Sequence, residues 1–358
     1  MPPKLTEFAK KYGPHIAAIM VLYLKEHREA AKPLSPHLVD SVEFLTEFIF
    51  RGGKQIRPLL VLLGCLAAGG EITPGVLQVA AGVELFHKHI LNLDDMADRD
   101  EERNGGPTLW KAYQARFTDW PDGDHHARTL SEIDGTLLGS FAFDMVGQAK
   151  VPAETLLKVM EIMHQHMYFE TVGGWEIHYF QNHESLAESK EDEFVKGLDL
   201  VTARYTFVGP LQIGCILAGM GPESDIWKAL TEYGVQVGTA FQMQDDILGL
   251  FGDSKETGKP VGNDVREGKK TLLLQRAYKA GSVEEKAFLS DVCGRVLKSG
   301  ELEKVQEIVK KTGALGVAQE LAKESVKKGE KALQSANLNT NTNEIFLELA
   351  EFVVERKK

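Results

Sequence analysis

Asp94, Asp95 and Asp98 stand together in the run DDMAD, directly after the apolar segment ELFHKHILNL. On a helix, spacings of one, three and four residues bring these carboxylates to one side of a single turn. Three like charges there repel, and a place near a helix C-terminus adds the unfavourable end of the helix dipole, so the arrangement calls for cations. Asp245 and Asp246 form a second pair in FQMQDDILGLFGD, again closing an apolar run. One such cluster reads best as a solvated acidic face. Two of them, each followed by basic residues, read as paired oxygen-only ligand sets. Such sets suit Mg²⁺, which keeps several waters and binds through a few carboxylates plus substrate phosphates. The predicted chemistry is a diphosphate clamped by Mg²⁺ between two carboxylate-bearing helices.

The elements that carry these residues are helices. Apolar residues recur at three- and four-residue spacing in GVLQVAAGVELFHKHILNLDDMAD and EDEFVKGLDLVTARYTFVGPLQIGCILAG, while alternating strand patterns are scarce. Helices are predicted near 5–31, 37–51, 55–69, 75–100, 107–117, 127–149, 153–182, 187–218, 223–252, 267–280, 283–298, 301–312, 315–335 and 344–356. Most prolines fall at element ends, but Gly209-Pro210 lies inside an apolar run and predicts a kink there. The connections are short, which favours antiparallel neighbours in one bundle. No linker or repeat divides the chain. The stretch NLNTNTN at 337–343 reads as a polar turn whose Asn343 caps the last helix. The expectation is all-α, a single domain spanning residues 1–358.

Composition narrows the function class. A hydrophobic content of 43% is ample for a buried core, and a net charge of -11 argues against a nucleic-acid or anionic-membrane binder, which would present a basic surface. Cys65, Cys215 and Cys293 lie far apart among apolar neighbours and read as buried free thiols of a reducing compartment. The N-terminus lacks signal-peptide layout, and no apolar run approaches the roughly 18 residues that span a bilayer. The expectation is a soluble, cytoplasmic protein with no integral membrane segment.

Three segments carry a family likeness: GGKQIRP at 52–58, ELFHKHILNLDDMADRDEERNGGPT at 84–108 and FQMQDDILGLFGDSKETGKPVGNDVREGKKT at 241–271. With weaker agreement between them, residues 40–275 resemble the trans-isoprenyl diphosphate synthases, the farnesyl and geranylgeranyl diphosphate synthase family. The resemblance implies one helical bundle around a central cavity, the isoprenoid synthase type I fold, working as a homodimer. It implies an allylic diphosphate held by Mg²⁺ on Asp94, Asp95 and Asp98 against Asp245 and Asp246. Arg103, Thr202, Gln242, Lys259 and Lys269 match residues around that diphosphate. Lys54, Arg57 and His87 match a metal-free, cationic site for isopentenyl diphosphate. Ionising an allylic C–O bond needs a leaving group whose growing charge is already met by metal ions and fixed cations. The double bond of isopentenyl diphosphate then attacks, a proton is lost, and apolar walls keep water from the cation.

Several positions depart from the family pattern. Asn104 stands where a second arginine is usual, Gln55 where an arginine is common, and Gly249 where the second cluster has a third aspartate, with Asp253 one turn on. The family's Lys-Thr pair aligns with Val201-Thr202, with Arg204 nearby as a substitute, and its Gly-Gln-x-x-Asp reads Gly174 to His178. A class I terpene cyclase and a non-catalytic partner subunit are the alternatives. The cationic site argues against the first, and the intact DDMAD cluster against the second.

Two further features belong to this reading. Asp122, Asp124, His125 and His126 look like a metal box but read better as a solvated turn. His89, five residues before Asp94, and Phe86, eight before it, match a floor that stops chain elongation, and predict short products of twenty or fifteen carbons.

Overall fold

The computed structural model describes residues 1–252 and 261–356. Its frame is helical: α1 (Pro3–Ala31), α2 (Pro36–Phe50), α3 (Ile56–Ala67), α4 (Pro74–Ala97), α5 (Leu109–Arg116), α6 (Gly123–Gly147) and α7 (Ala153–Ile162). A π-helical segment, π1 (Met163–Phe169), joins α7 to α8 (Glu170–Asn182). A second, π2 (Asp199–Val208), joins α9 (Glu191–Leu198) to α10 (Gly209–Leu217). The chain continues through α11 (Asp225–Phe251), α12 (Asn263–Arg266), α13 (Leu272–Ala280), α14 (Val283–Val292), α15 (Glu301–Lys311), α16 (Ala314–Leu333) and α17 (Thr340–Glu355).

The helices that carry the acidic clusters are started by local chemistry. Pro74 opens α4, and the Thr73 hydroxyl accepts the Val76 N–H at 3.3 Å. Ser224 caps α11 in the same way through Trp227. The last helix is capped by Asn339, whose side chain accepts the Thr342 N–H at 2.9 Å, and not by the expected Asn343. Its helix starts earlier than the apolar pattern alone indicates.

The main core lies between α1, α3, α4, α6, α10 and α11, and a smaller one joins the end of α11 to α13, α14, α15 and α16. Close helix approach in the main core depends on glycine: a Cβ on Gly64 or Gly214 would meet the backbone of the facing helix, α10 or α3. Cys65 and Cys215 are buried at this crossing, where burial pushes their thiols up to about 11 and about 12. Cys293 is only half-buried, because the helix expected over 283–298 stops at Val292.

Three features differ from expectation. The kink foreseen at Gly209-Pro210 takes the form of π2 directly before the proline. The Gly209 N–H bonds to the Arg204 carbonyl five residues back, so Pro210 enters in the first turn of α10, where its missing N–H costs least. The helical run from Glu191 to Leu217 is long and apolar enough to cross a membrane, contrary to the sequence reading; 72% of its most apolar window is buried inside the protein, as a core helix would be. A short antiparallel hairpin, β1 (Glu102–Arg103) and β2 (Gly106–Pro107), precedes α5. Its turn residues, Asn104 and Gly105, have φ of 52° and 76°, the left-handed pair that an Asn-Gly hairpin turn requires.

Candidate active site

Arg103 organises the end of α4. Its Nη2 donates to Asp94 Oδ2 at 3.0 Å and to Asp100 Oδ2 at 3.5 Å, and the guanidinium also pairs with Asp95. Burial opposes the charge of Arg103, but Asp95, Asp94 and Asp100 outweigh it and raise its pKa. Carboxylate oxygens of Asp94, Asp95 and Asp100 lie within 4.8 Å of one another, close enough to share a cation. Asp98 instead accepts a hydrogen bond from Lys269 Nζ at 2.6 Å. Asp100 was not anticipated. It lies beyond the helix, where helical spacing says nothing, and its carboxylate is drawn in by Arg103 three residues on.

The second cluster lies across from the first. On α11, Gln242 accepts from the Thr202 hydroxyl at 2.6 Å and donates to Asp246 Oδ1 at 2.9 Å. Asp246 is 7% exposed, and its Oδ2 has no hydrogen-bond partner among the described residues. Burial, with Asp264 close by, pushes this carboxyl well above the ordinary range. Asp264, on α12, is a second unanticipated carboxylate. Lys269 bridges the two sides, reaching Asp98 on one and Asp264, at 3.5 Å, on the other. Asn263 Nδ2 adds a bond to Asp100 Oδ1 at 3.1 Å. Asp245 is held differently: Arg356, just past α17, pairs with its Oδ1 at 2.6 Å. Lys259 lies outside the described residues.

Lys54 lies within, and Arg57 just after, a tightly shaped turn in which Gly52, Gly53 and Gln55 have φ of 111°, 120° and 47°. Arg57 stacks on the Tyr205 ring at 4.4 Å and donates to the Thr206 hydroxyl at 2.7 Å, and Lys54 Nζ lies 5.2 Å from the centre of the Phe352 ring. His87 differs from these two cations. Burial, and then Arg57, Lys88 and Arg103, hold its pKa well below the usual histidine value, so the ring is neutral. Arg57 can only donate, so His87 Nε2 accepts at 3.0 Å, and Nδ1–H must donate to the Tyr205 hydroxyl at 2.7 Å.

The departures from the family pattern are resolved locally. Val201 packs against Gly174, whose Cβ, if present, would lie 2.6 Å from Val201 Cγ1. Arg204, the nearby substitute, pairs with Asp199 at 2.8 Å and Glu170 at 3.8 Å. His178 is pushed down to about 4, first by burial, and bonds the Phe194 carbonyl at 3.3 Å. In the 122–126 segment Asp124 pairs with Arg128 at 3.0 Å and takes a bond from Gln114, as a solvated helix start would.

Phe86 and His89 share an aromatic cluster with Phe143 and Tyr168, with centroids 5.7–6.1 Å apart. His89 Nδ1 is 2.7 Å from the Gly135 carbonyl on α6. Five residues turn a helix by about 500°, so His89 and Asp94 do not share a face. Phe86 and His89 line the wall that α4 forms with α6.

The donor set is entirely oxygen: Asp94, Asp95 and Asp100 on one side, Asp246 and Asp264 on the other, with one buried Asp246 oxygen lacking a hydrogen-bond partner among the described residues. Hard divalent cations fit such a set, and thiophilic metals do not. Comparison with known proteins agrees. Residues 40–312 match the polyprenyl synthetase family. A geranylfarnesyl diphosphate synthase from Aeropyrum pernix is 32% identical over 86% of this chain and 91% of its own length. An octaprenyl diphosphate synthase from Escherichia coli is 30% identical over 86% of this chain and 87% of its own. The crystal structure of a geranylgeranyl pyrophosphate synthase from Corynebacterium glutamicum, complexed with isoprenyl diphosphate and magnesium, superposes with a TM-score of 0.90. It is 29% identical, covering 97% of this chain and 99% of its own. Facing acidic clusters, the cationic turn beside them and these likenesses converge: the chain belongs to the polyprenyl synthetase family.

Proposed function

We propose that this protein is a short-chain trans-prenyl diphosphate synthase, condensing an allylic diphosphate with isopentenyl diphosphate to give geranylgeranyl or farnesyl diphosphate. The observation that carries this reading is the pair of facing carboxylate sets bridged by Lys269, beside a separate cationic turn that needs no metal. When bound, Mg²⁺ supplies the charge that meets the departing diphosphate. Asp94, Asp95, Asp98, Asp245 and Asp246 are the proposed ligands, with Asp100 and Asp264 added on the geometry above. Arg103 and Lys269 are fixed cations that neutralise the leaving group, and Thr202 orients Gln242 beside Asp246. Lys54 and Arg57 hold isopentenyl diphosphate, and neutral His87 positions Arg57. Residues 1–358 act as one unit, supported by α1 and α17 closing on each other where the Leu5 N–H donates to Glu348 at 2.9 Å.

The protein is read as cytoplasmic and homodimeric. Exposed apolar side chains on successive segments, among them Ile133, Leu157, Phe169 and Phe180, support a second copy lying over α6 to α8. Light scattering would detect it. The activity is tested with labelled isopentenyl diphosphate and each allylic primer, with and without Mg²⁺. Elongated prenyl diphosphate formed only with Mg²⁺ is expected. Cyclised hydrocarbon, or no elongation with any primer, overturns the proposal.

A further inference from the structure

Lys88, one residue after His87, is 3% exposed, a rare state for a lysine. Its ammonium donates to the Gly52 carbonyl at 3.1 Å. It lies 3.6 Å from the Glu84 carboxylate one turn back on α4, itself 1% exposed. A Cβ on Gly53 would come to 3.6 Å of the same nitrogen. The ammonium therefore sits directly beneath the turn that separates α2 from the residues Lys54 and Arg57.

The turn's own sequence does little to fix its shape. Gly52 and Gly53 lack side chains and take positive φ, as does Gln55, so this backbone has many accessible conformations when released. Arg57, by contrast, is poised for an incoming anion: its Nη atoms bond His87 and Thr206, and its buried Nε has no hydrogen-bond partner among the described residues. Burial raises the pKa of Glu84, opposed by Lys88 and Arg57. Lys88 is thus the link between a buried carboxylate and the backbone carrying the site.

We propose that Lys88 is a positioning residue for the metal-free diphosphate site, holding the Gly52 carbonyl so that the turn presents Lys54 and Arg57 to isopentenyl diphosphate. This rests on the synthase reading above. Lys88 does not touch substrate; it removes conformations in which the two cations diverge.

The test is calorimetric titration of isopentenyl diphosphate without Mg²⁺, with steady-state KM measured for both substrates. Lys88→Met keeps the length of the side chain and removes the hydrogen bond. Affinity for isopentenyl diphosphate is expected to fall about tenfold or more, with KM for the allylic primer changed less than about twofold. Because Lys88→Met leaves Glu84 buried without its counter-charge, the double variant Glu84→Gln/Lys88→Met is measured beside it. It removes both charges and still lacks the Gly52 hydrogen bond, so the same loss is expected. Unaltered affinity in either folded variant, or an equal rise in both KM values, overturns the proposal. Failure of the unaltered protein to bind isopentenyl diphosphate overturns the synthase reading, and this inference with it.

Discussion

A Cβ built on Gly249 would lie 2.6 Å from Asp264 Oδ2, so this carboxylate fills the space into which residue 249 would project. The second acidic cluster lacks an aspartate at 249, and a carboxylate from α12 arrives at the same place through space. A side chain at 249 would push that carboxylate aside. Gly249→Ala should gain about 0.5–1 kcal/mol of helix propensity while displacing the Asp264 carboxylate. It should also weaken Mg²⁺-dependent stabilisation by diphosphate, as Asp264→Ala should. Thermal shifts with and without Mg²⁺ measure both. An unchanged Mg²⁺ dependence in Asp264→Ala would remove Asp264 from the metal set.

Arg356 occupies the carboxylate of Asp245 and reaches further. Its Nη2 also donates to the Phe241 carbonyl at 2.9 Å, its guanidinium stacks 3.7 Å from the Phe241 ring centre, and Gln244 bonds its carbonyl at 3.0 Å. A metal ion on Asp245 must compete with this pair. Arg356→Met should therefore cost about 1–3 kcal/mol of stability by chemical denaturation, since it leaves buried acceptors unmet. At the same time it should lower the Mg²⁺ concentration needed to bind diphosphate. An unaltered Mg²⁺ midpoint would show that Asp245 is not a ligand.

Asn104 sits at φ 52° in the hairpin turn, a conformation asparagine tolerates better than arginine. Asn104→Arg should cost about 1 kcal/mol of backbone strain and so lower the melting temperature slightly. It should lower KM for isopentenyl diphosphate more than KM for the allylic primer if a charge is missing there. An unchanged ratio of the two constants would show that the gap is already filled.

What the sequence revealed, and what it hid, follows from the range of the contacts. Asp94, Asp95, Asp245 and Asp246 are legible because each pair closes a long apolar helix, where charge repulsion has no structural purpose. Asp100 lies in a connection and Asp264 on the single-turn helix α12, and their places depend on contacts such as Asn263 to Asp100, which no local period encodes. The π-helical segments run directly into ordinary helix at both ends, so π1 and π2 read as α until the backbone register is seen. The hairpin was signalled by Asn104-Gly105, but its strands are two residues each, too short to alternate. The neutral state of His87 is likewise a burial effect, set by helices far apart in sequence.

His178 gives a pH dependence with a definite sign. Its folded pKa, about 4, is below the usual 6.5, so between these values the unfolded chain binds more protons. Its contribution is fully present above about pH 6.5 and is lost as pH falls toward about 4, on the order of 3 kcal/mol in all. His178→Gln keeps a donor for the Phe194 carbonyl and removes the titration. Denaturant titrations at pH 7 and pH 5 should show a smaller loss of stability in the variant than in the unaltered protein. Equal losses would mean that His178 is protonated in the fold.

Product length is the last expectation, and it depends on the wall that α4 shares with α6. Phe86 is 1% exposed and His89 7%, and their rings meet Phe143 from α6 and Tyr168 from π1. His89 is fixed on Gly135 and lies over Gly139, where a Cβ would come to 3.3 Å of its ring. The ring cannot swing aside without losing the carbonyl bond, and burial keeps it neutral by lowering its pKa. If the product grows along this wall, it meets rings that are locked by their neighbours, and elongation should stop early. Each helical turn rises about 5.4 Å, close to one isoprene unit, so clearing two positions one turn apart should admit at least one more unit. His89→Ala/Phe86→Ala should shift the products toward longer chains, read by chromatography of the dephosphorylated alcohols. Stability should fall by about 3–5 kcal/mol for the phenylalanine alone, so the assay is run below the variant's melting temperature. An active double variant with an unchanged product distribution would place the floor on another helix.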